Sequence, residues 1–496
     1  VRRAGLPARA RTWSSDPARR NSKIRTLIMS FRGLFIAVVL ATAMLVSAFA
    51  INRYRPAIEV NKPTAALIRA TGKCADCHRH ETEAVVHEFE LSKHNTSGVT
   101  CLNCHQPADG QENFDHKGFI ISRKVTAANC KSCHPQEYEQ YLKSRHAAPA
   151  WAAVTGKADF TPQQIAFSEQ FHKGAVDRAP HDLVAVQGPQ SITKGCQKCH
   201  EVGRPNADGT IGSCTSCHAR HVSSVELARQ PETCGQCHMG PDHAQLEIYH
   251  ESKHGVLFNA QKAHMNLAAD PKKLTAADMP VPTCATCHMS GLNGEKPGEK
   301  LTHDVTERLS YFLFAPVSER RPNYRTKQTA MKAMCLECHT NPKIIKFYTE
   351  AEGVVRSTNT LVKEAEAIMK DLRKQNLLTP APFDEPIEYT YFDLWHYGGR
   401  TAKHGAFMGG ADFVQWHGYY ELVSKLTELK HAAEELKAKA APKASDAAGA
   451  FAEAGGAATK APAAPAAADD KASFDREATT SPKAPSSYPE PAGAKP

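Results

Sequence analysis

The chain has 496 residues, a formal net charge of +9, 16 cysteines and 25 histidines, against 41% hydrophobic and 7% aromatic residues. So lean an apolar set beside so many Cys and His points to an interior filled partly by something other than side chains, and argues against an ordinary cytosolic enzyme. The charge is uneven: residues 1–32 carry nine Lys or Arg against Asp16 alone, which leaves the remainder near neutral, without the basic face that nucleic acid needs.

Residues 1–28 are Arg-rich without an apolar period, and read as an upstream over-extension before Met29 or as a basic leader. Gly33 to Ile51 is a continuous apolar run of about 19 residues, long enough to span a bilayer. Arg25 and Arg32 precede it, and it closes on Ala48-Phe49-Ala50, a pattern that signal peptidase cuts. Residues 29–51 are therefore expected to be a signal anchor or a signal peptide. Either one places the rest on the periplasmic side of the cytoplasmic membrane.

Residues 52–350 hold every cysteine, in eight copies of the pentapeptide C-x-x-C-H. In chain order these are Cys74, Cys77 and His78; Cys101, Cys104 and His105; Cys130, Cys133 and His134; and Cys196, Cys199 and His200. The series continues with Cys214, Cys217 and His218; Cys234, Cys237 and His238; Cys284, Cys287 and His288; and Cys335, Cys338 and His339. Short helical pieces and Gly-, Pro- and Asn-rich loops connect them, with no sustained period-2 run. Residues 351–440 are predicted to hold two long helices. Leu361, Ala365, Ile368 and Leu372 form the stripe of the first, over 351–376. Leu422, Leu426, Leu429 and Leu436 form that of the second, over about 414–439. Both stripes read as packing faces. Residues 441–496 are an Ala-, Pro- and Lys-rich tail without the apolar content for a core.

The pentapeptide has a chemical reason. Two thiols three positions apart reach the two vinyl groups of one haem as thioethers, and the adjacent His ligates the iron. Zinc ribbons also use C-x-x-C pairs but have no need of His after every second Cys. A disulfide framework suits a small secreted chain rather than eight short-spaced pairs in a long one. The reading is eight covalently bound haem c groups, in a mainly α multihaem cytochrome c fold with a haem-packed core, long C-terminal helices and little β.

Seventeen histidines remain once the eight motifs are counted. Electron-transfer haems commonly take a second axial ligand. A repeat, Ser-Lys/Arg-His, ends in His94, His146 and His254, each 12 to 16 residues after a motif. At helical rise that is roughly 18–24 Å, enough to reach a neighbouring haem. These three are the first choice of distal ligands, with His116, His221 and His303 next. His172, His181, His250, His264 and His404 are left open, and His80, His396, His417 and His431 are set aside.

Three linking segments carry a family resemblance. Gly195 to Asn206 around the fourth motif, Cys214 to Arg229, and Cys234 to His243 resemble the octahaem hydroxylamine oxidoreductase family. So does the C-terminal stretch from Gly399-Arg400 to Asp412-Phe413-Val-Gln-Trp416-His417-Gly418. The likeness covers about residues 70–435. It implies that the haem on Cys196, Cys199 and His200 is catalytic and five-coordinate, that Asp242 and His243 serve its open face, and that a tyrosine, assigned here to Tyr324, joins them. It also implies a homotrimer. In hydroxylamine-oxidising members a tyrosine of the C-terminal stretch is bonded to the catalytic haem of a neighbouring subunit. Phe413 stands at that position here, so the subgroup is one without the link, which implies reduction.

The resulting expectation is a periplasmic octahaem cytochrome that reduces nitrite to hydroxylamine or ammonia. Its small nitrogen-oxide or hydroxylamine substrate would be supplied with electrons by a membrane quinol-oxidising multihaem cytochrome or another redox cytochrome. Nucleic acid is excluded as a partner. Hydroxylamine oxidation is the closest alternative, and a non-catalytic electron-transfer conduit the third. A tetrathionate-reductase reading fits the linking segments less well, and the lysine-ligated octahaem nitrite reductases are set aside because all eight motifs end in His.

Overall fold

A computed structural model describes residues 35, 38–47, 69–294 and 298–441. The expectations for residues 1–28 and for the tail therefore lie outside the described residues, the tail apart from its first position, and that for 29–51 lies only partly within them. Residues 38–47 are helical and their apolar side chains are exposed. Among the described residues no helix is long and apolar enough to cross a membrane.

The fold is mainly α, as predicted, with many helices of four to nine residues and two long ones. Among the described residues there is one sheet, a hairpin of Phe114–His116 and Phe119–Ile121 paired antiparallel, with His116 opposite Phe119. Its two-residue turn needs positive φ at both positions, and Lys117 (57°) and Gly118 (84°) supply it.

The first long helix, Asn341–Lys374, begins ten residues earlier than the apolar stripe predicts, because Thr340 stands at its N-cap and Pro342 in its first turn. It therefore runs through position 350. The second, Glu421–Ala440, follows a π-helical turn, Gln415–Tyr420. The two stripes meet each other: Val362, Ala365, Met369 and Leu372 pack with Leu422, Leu426, Leu429 and Ala433 in one apolar core. Leu361, Ile368 and Leu436 flank it. The stripes therefore serve an intramolecular bundle.

A second π turn, Leu394–Gly399, packs against the first. Glycine permits this. A Cβ on Gly398 would stand 2.9 Å from the Leu422 backbone nitrogen, and one on Gly418 would meet the Phe413 carbonyl and the Ala402 backbone. Each π turn adds one residue to a helical turn and re-aims the side chains around it, a feature that recurs at functional sites.

Candidate haem sites and catalytic centre

Each motif is built on a helical turn. Cys101–His105, Cys196–His200 and Cys284–His288 are helices of five residues, the length of the pentapeptide itself. Positions i, i+3 and i+4 share a helix face, so both thiols and the imidazole look the same way. The variable positions help. The backbone N–H of Thr100 donates to Asn103 Oδ1 (2.8 Å), and that of Thr283 to Thr286 Oγ1 (3.1 Å), closing the helix start from inside the motif. All sixteen thiols are free of disulfides. Among the described residues, the one place where three His, Cys, Asp or Glu ligand atoms converge is Asp384, Glu385 and Glu388.

The motifs adjoin one another in a definite order. Burial raises the Cys101 thiol, and so does Cys74 of the first motif; burial and Cys130 likewise raise Cys104. The Cys130 thiol is raised by its neighbour Cys214 of the fifth motif. Burial and Cys234 of the sixth motif push Cys217 up to about 11. The Cys234 thiol is raised by its neighbour Cys284 of the seventh, and burial with Cys335 of the eighth pushes Cys287 up to about 12. The fourth motif branches from the sixth: Cys199 Sγ lies 3.9 Å from the Gln236 carbonyl, and Cys237 Sγ 3.9 Å from the Cys199 carbonyl.

Six motif histidines face another histidine ring. The centroid separations are His78–His116 6.1 Å, His134–His94 6.2 Å, His105–His221 6.5 Å, His238–His146 5.7 Å, His218–His303 6.5 Å and His339–His254 5.9 Å. The six partners are the six histidines singled out in the sequence. Two imidazoles ligating one metal from opposite sides each hold a nitrogen about 2 Å from it, which puts their centres roughly 6 Å apart. The residues thus fit a haem between each pair. Burial pulls His146 down to about 3 and His218 to about 4, keeping both neutral as ligation requires. Nδ1 of His105 points at the Ser122 carbonyl (2.9 Å) and that of His200 at the Ala150 carbonyl (2.5 Å). A carbonyl only accepts, so Nδ1 carries the hydrogen and Nε2 offers its lone pair.

The Ser-Lys/Arg-His repeat has a local cause. Ser92 Oγ accepts from the His94 backbone N–H at 3.1 Å, and Ser144 Oγ from that of His146 at 3.0 Å. Ser252 caps the helix Lys253–Gln261 through the Gly255 N–H. All three serines are buried. The hydroxyl starts a turn, and the turn aims the His two residues on.

His200 is different. Among the described residues no histidine ring faces it at that spacing; its charged neighbours are His243, Asp242 and His181. Asp242 Oδ2 lies 2.5 Å from His243 Nδ1. The same oxygen is 3.9 Å from Nδ1 of His396, whose ring stacks on Phe392 at 4.2 Å. Burial pushes the Asp242 carboxyl up, but the His243 hydrogen bond and the charges of His243, His396 and Arg400 more than offset it, and the net direction is down. A carboxylate held ionised beside an imidazole can orient it and pass protons. His288 also faces no histidine at that spacing, but its neighbours are His238, Arg308 and the Val305 carbonyl, with no such pair.

The family model described as "Seven times multi-haem cytochrome CxxCH" matches residues 97–386. The chain belongs to this multihaem cytochrome family. Membership carries covalently bound haem c on the C-x-x-C-H motifs. The cytochrome is 23% identical over 472 residues to a probable nitrite reductase-hydroxylamine oxidoreductase fusion protein of Kuenenia stuttgartiensis. That match takes in 74% of this chain and 51% of the relative, so the chain spans about half the relative's length. A solved hypothetical multiheme protein superimposes with a TM-score of 0.65 at 22% identity, over 75% of this chain and 97% of its own. A chain of the reducing HAO-like protein complex of K. stuttgartiensis superimposes at 0.56 and 19% identity, over 74% and 85%.

The sequence assignment gave Tyr324 to the centre, and within this chain it lies among arginines. Its phenol bonds to Arg320 (3.1 Å) and Arg325 (3.2 Å), whereas Tyr397 is the tyrosine that feels the charge of Asp242. Phe413 is buried against Ala244 and Ile248, and its ring lies 5.0 Å from that of His417. With Pro241, Tyr397 and His417 it lines a cleft of about 500 Å³. His404 is buried, with Nδ1 3.2 Å from Gln245 Nε2, and His172 Nε2 bonds to the Leu142 carbonyl at 3.0 Å. Sequence reasoning set His396 aside and gave Arg400 no role at this centre. The signal was there, in Trp395-His396-Tyr397-Gly-Gly-Arg400 directly before the C-terminal stretch. Lys403 was also missed. It is fully buried and donates to the Ala315 and Pro316 carbonyls and to Ser318 Oγ (2.7 Å), while Arg400 Nε donates to the Phe314 carbonyl. The two clamp the loop at 314–318.

Proposed function

We propose that the cytochrome is an eight-haem reductase of small nitrogen oxides, converting nitrite to hydroxylamine or ammonia at the fourth motif. The observation that carries this reading is that, of the two motif histidines facing no histidine, His200 and His288, only His200 has the Asp242–His243 pair among its neighbours. His94, His116, His146, His221, His254 and His303 are the distal ligands in this reading. Haem c held by Cys196, Cys199 and His200 would supply multi-electron redox chemistry there.

The chain's own residues do the rest. The Ala150 carbonyl holds His200 as a neutral ligand through Nδ1. Asp242 fixes the orientation of His243 through Nδ1, which leaves Nε2 of His243 to bind substrate oxygen or nitrogen and to move protons. Conversion of nitrite to hydroxylamine consumes four electrons and five protons and releases one water, so a proton-carrying pair at the open face is what the chemistry needs. Arg400, stacked 5.1 Å over Trp395, adds positive charge that favours an anionic substrate.

Phe413 supports the reductive direction, since a benzyl ring has no phenol oxygen to bond to a haem. The printed name of the Kuenenia relative joins nitrite reductase with hydroxylamine oxidoreductase, which is consistent with either direction. Electrons would come from a membrane quinol-oxidising cytochrome on the periplasmic side, with the chain exported or anchored by residues 29–51 and assembled as a homotrimer. Electron paramagnetic resonance of the oxidised holoprotein tests the site. A high-spin iron whose signal changes on adding nitrite is expected; low-spin signals alone would make the protein a conduit.

A further inference from the structure

We infer that Arg145 and Arg321 form a site for one planar oxyanion group, with a haem propionate and free nitrite as the two sources of that chemistry. The site uses neither Asp242 nor His243 and does not depend on the direction of the reaction at the fourth motif.

The site is built on one loop. Tyr311 and Arg320 close it as an antiparallel bridge, and the Arg321 N–H donates to the Ser310 carbonyl at 2.9 Å. Arg400 and Lys403 hold its far end through the Phe314, Ala315 and Pro316 carbonyls. Phe312 and Phe314 stand edge to face on it at 6.1 Å. Each carries a guanidinium: Arg321 lies 4.3 Å over Phe312, and Arg145 lies 5.8 Å over Phe314. Stacking on a ring leaves the N–H groups at the guanidinium edge for a planar anion.

Most of those N–H groups are unpaired. Arg321 is only 7% exposed, yet among the described residues it donates from Nε alone, to the Tyr311 carbonyl at 3.0 Å. Arg145 is half-buried, and among the described residues its guanidinium donates to nothing and pairs with no carboxylate. The carboxylates nearby are committed elsewhere. Asp304, whose charge reaches Arg321, takes the Thr306 N–H (3.0 Å) and hydroxyl (2.6 Å). Glu169, close to His172, takes the N–H groups of Gly174, Val176 and Asp177. Arg178 adds a third positive charge near Arg145. His172 feels both arginines, but burial lowers its pKa and its Nε2 is turned to the Leu142 carbonyl. Burial and the charge of Arg145 pull Arg321 down to about 10. Like charges withdrawn from water without a partner are costly, and an anion bound by both offsets that cost.

The sequence ties the pair to the motif sites. Arg145 is the middle residue of Ser144-Arg145-His146, and each copy of that repeat sets a cation, Lys93, Arg145 or Lys253, directly before its histidine. His146 faces His238 of the sixth motif, and Asp304 follows His303, which faces His218 of the fifth. Haem c carries propionates, so a carboxylate would be at hand from either site. Nitrite presents the same pair of oxygens on a single atom.

The test uses the holoprotein with Arg145→Gln and Arg321→Gln, and haem content and low-spin count check folding. If a propionate is the anion, losing its counter-charge favours the ferric iron. A redox titration without nitrite, followed by electron paramagnetic resonance, should then show one low-spin haem whose midpoint falls by about 59 mV, a tenfold change in its one-electron equilibrium. The propionate carboxylate band should shift with it in the reduced-minus-oxidised infrared spectrum. If nitrite is the anion, the midpoints stay put, and equilibrium dialysis of labelled nitrite against the oxidised protein should show one fewer nitrite bound in each variant than in wild type. No change in any readout would overturn the inference. So would a midpoint shift with an unmoved band and wild-type nitrite stoichiometry, which is the mark of a distant charge. Should Arg321→Gln lose haem, Arg145→Gln decides alone, since the Arg145 guanidinium makes no hydrogen bond that the fold would miss. If the protein turns over no nitrite, the functional reading fails by itself, because neither readout needs catalysis.

Discussion

Asp242 Oδ2 and His243 Nδ1 stand 2.5 Å apart, adjacent in sequence, with the His243 ring 6.4 Å from that of His238 and both charges felt by His200. Asp242→Asn leaves the shape and removes the charge that orients His243; His243→Ala removes the proton carrier. Each should lower nitrite turnover by roughly 10²–10⁴-fold, the usual share of an acid–base group. Haem content by intact mass should hold. If His243→Ala instead converts a low-spin iron to high-spin, His243 is an axial ligand.

The facing pairs predict a ligand-by-ligand result. His303→Ala should turn one low-spin ferric signal high-spin and leave the others, because only His218 faces it. His254→Ala should do the same at His339. An unchanged low-spin count in either variant would remove that pair.

Ser92 predicts a coupling between a cap and an iron. Its hydroxyl accepts from the His94 N–H at 3.1 Å. Ser92→Ala should cost about 0.5–2 kcal/mol of stability, typical of a lost cap. It should also raise the high-spin fraction at the His134–His94 site, read by magnetic resonance, whereas a cap that serves only the helix would leave the spin state alone.

Asp208 gives a pH dependence away from the catalytic centre. Burial pushes its carboxyl up, but hydrogen bonds from Thr126 (2.5 Å), Thr210 and Gln111 (3.0 Å) hold it below the usual carboxylate range. A depressed folded pKa contributes stability above the unfolded value of about 4, and that stability is lost as pH falls through the folded value. Asp208→Asn should therefore lower Tm at pH 7 by a few degrees, for a loss on the order of 1 kcal/mol. The gap to wild type should close below about pH 4; a gap constant with pH would assign the loss to packing.

Much of this was legible in the residues. Eight C-x-x-C-H motifs carry their chemistry in their spacing, and Ser-Lys/Arg-His carries a turn that aims an imidazole, so the motif sites and three of the six facing histidines, His94, His146 and His254, could be read along the chain. The catalytic surroundings were harder. His396 stands 154 positions after Asp242 in the sequence, and only the π turn and the close helix approach at Gly398 bring them together. The hairpin at Phe114–Ile121 was also missed: two strands of three residues are too short for a period to register.

The central claim is that this cytochrome reduces nitrite at the fourth motif, and Phe413 makes its direction testable. The holoprotein should be supplied with nitrite and reduced viologen under anaerobic conditions, and separately with hydroxylamine and an oxidised one-electron acceptor, with both products quantified. The account predicts rapid nitrite consumption with hydroxylamine or ammonium appearing, and slow or absent hydroxylamine oxidation. Brisk oxidation of hydroxylamine to nitrite, together with the long-wavelength absorption band of a tyrosine-linked haem in the wild type, would contradict it.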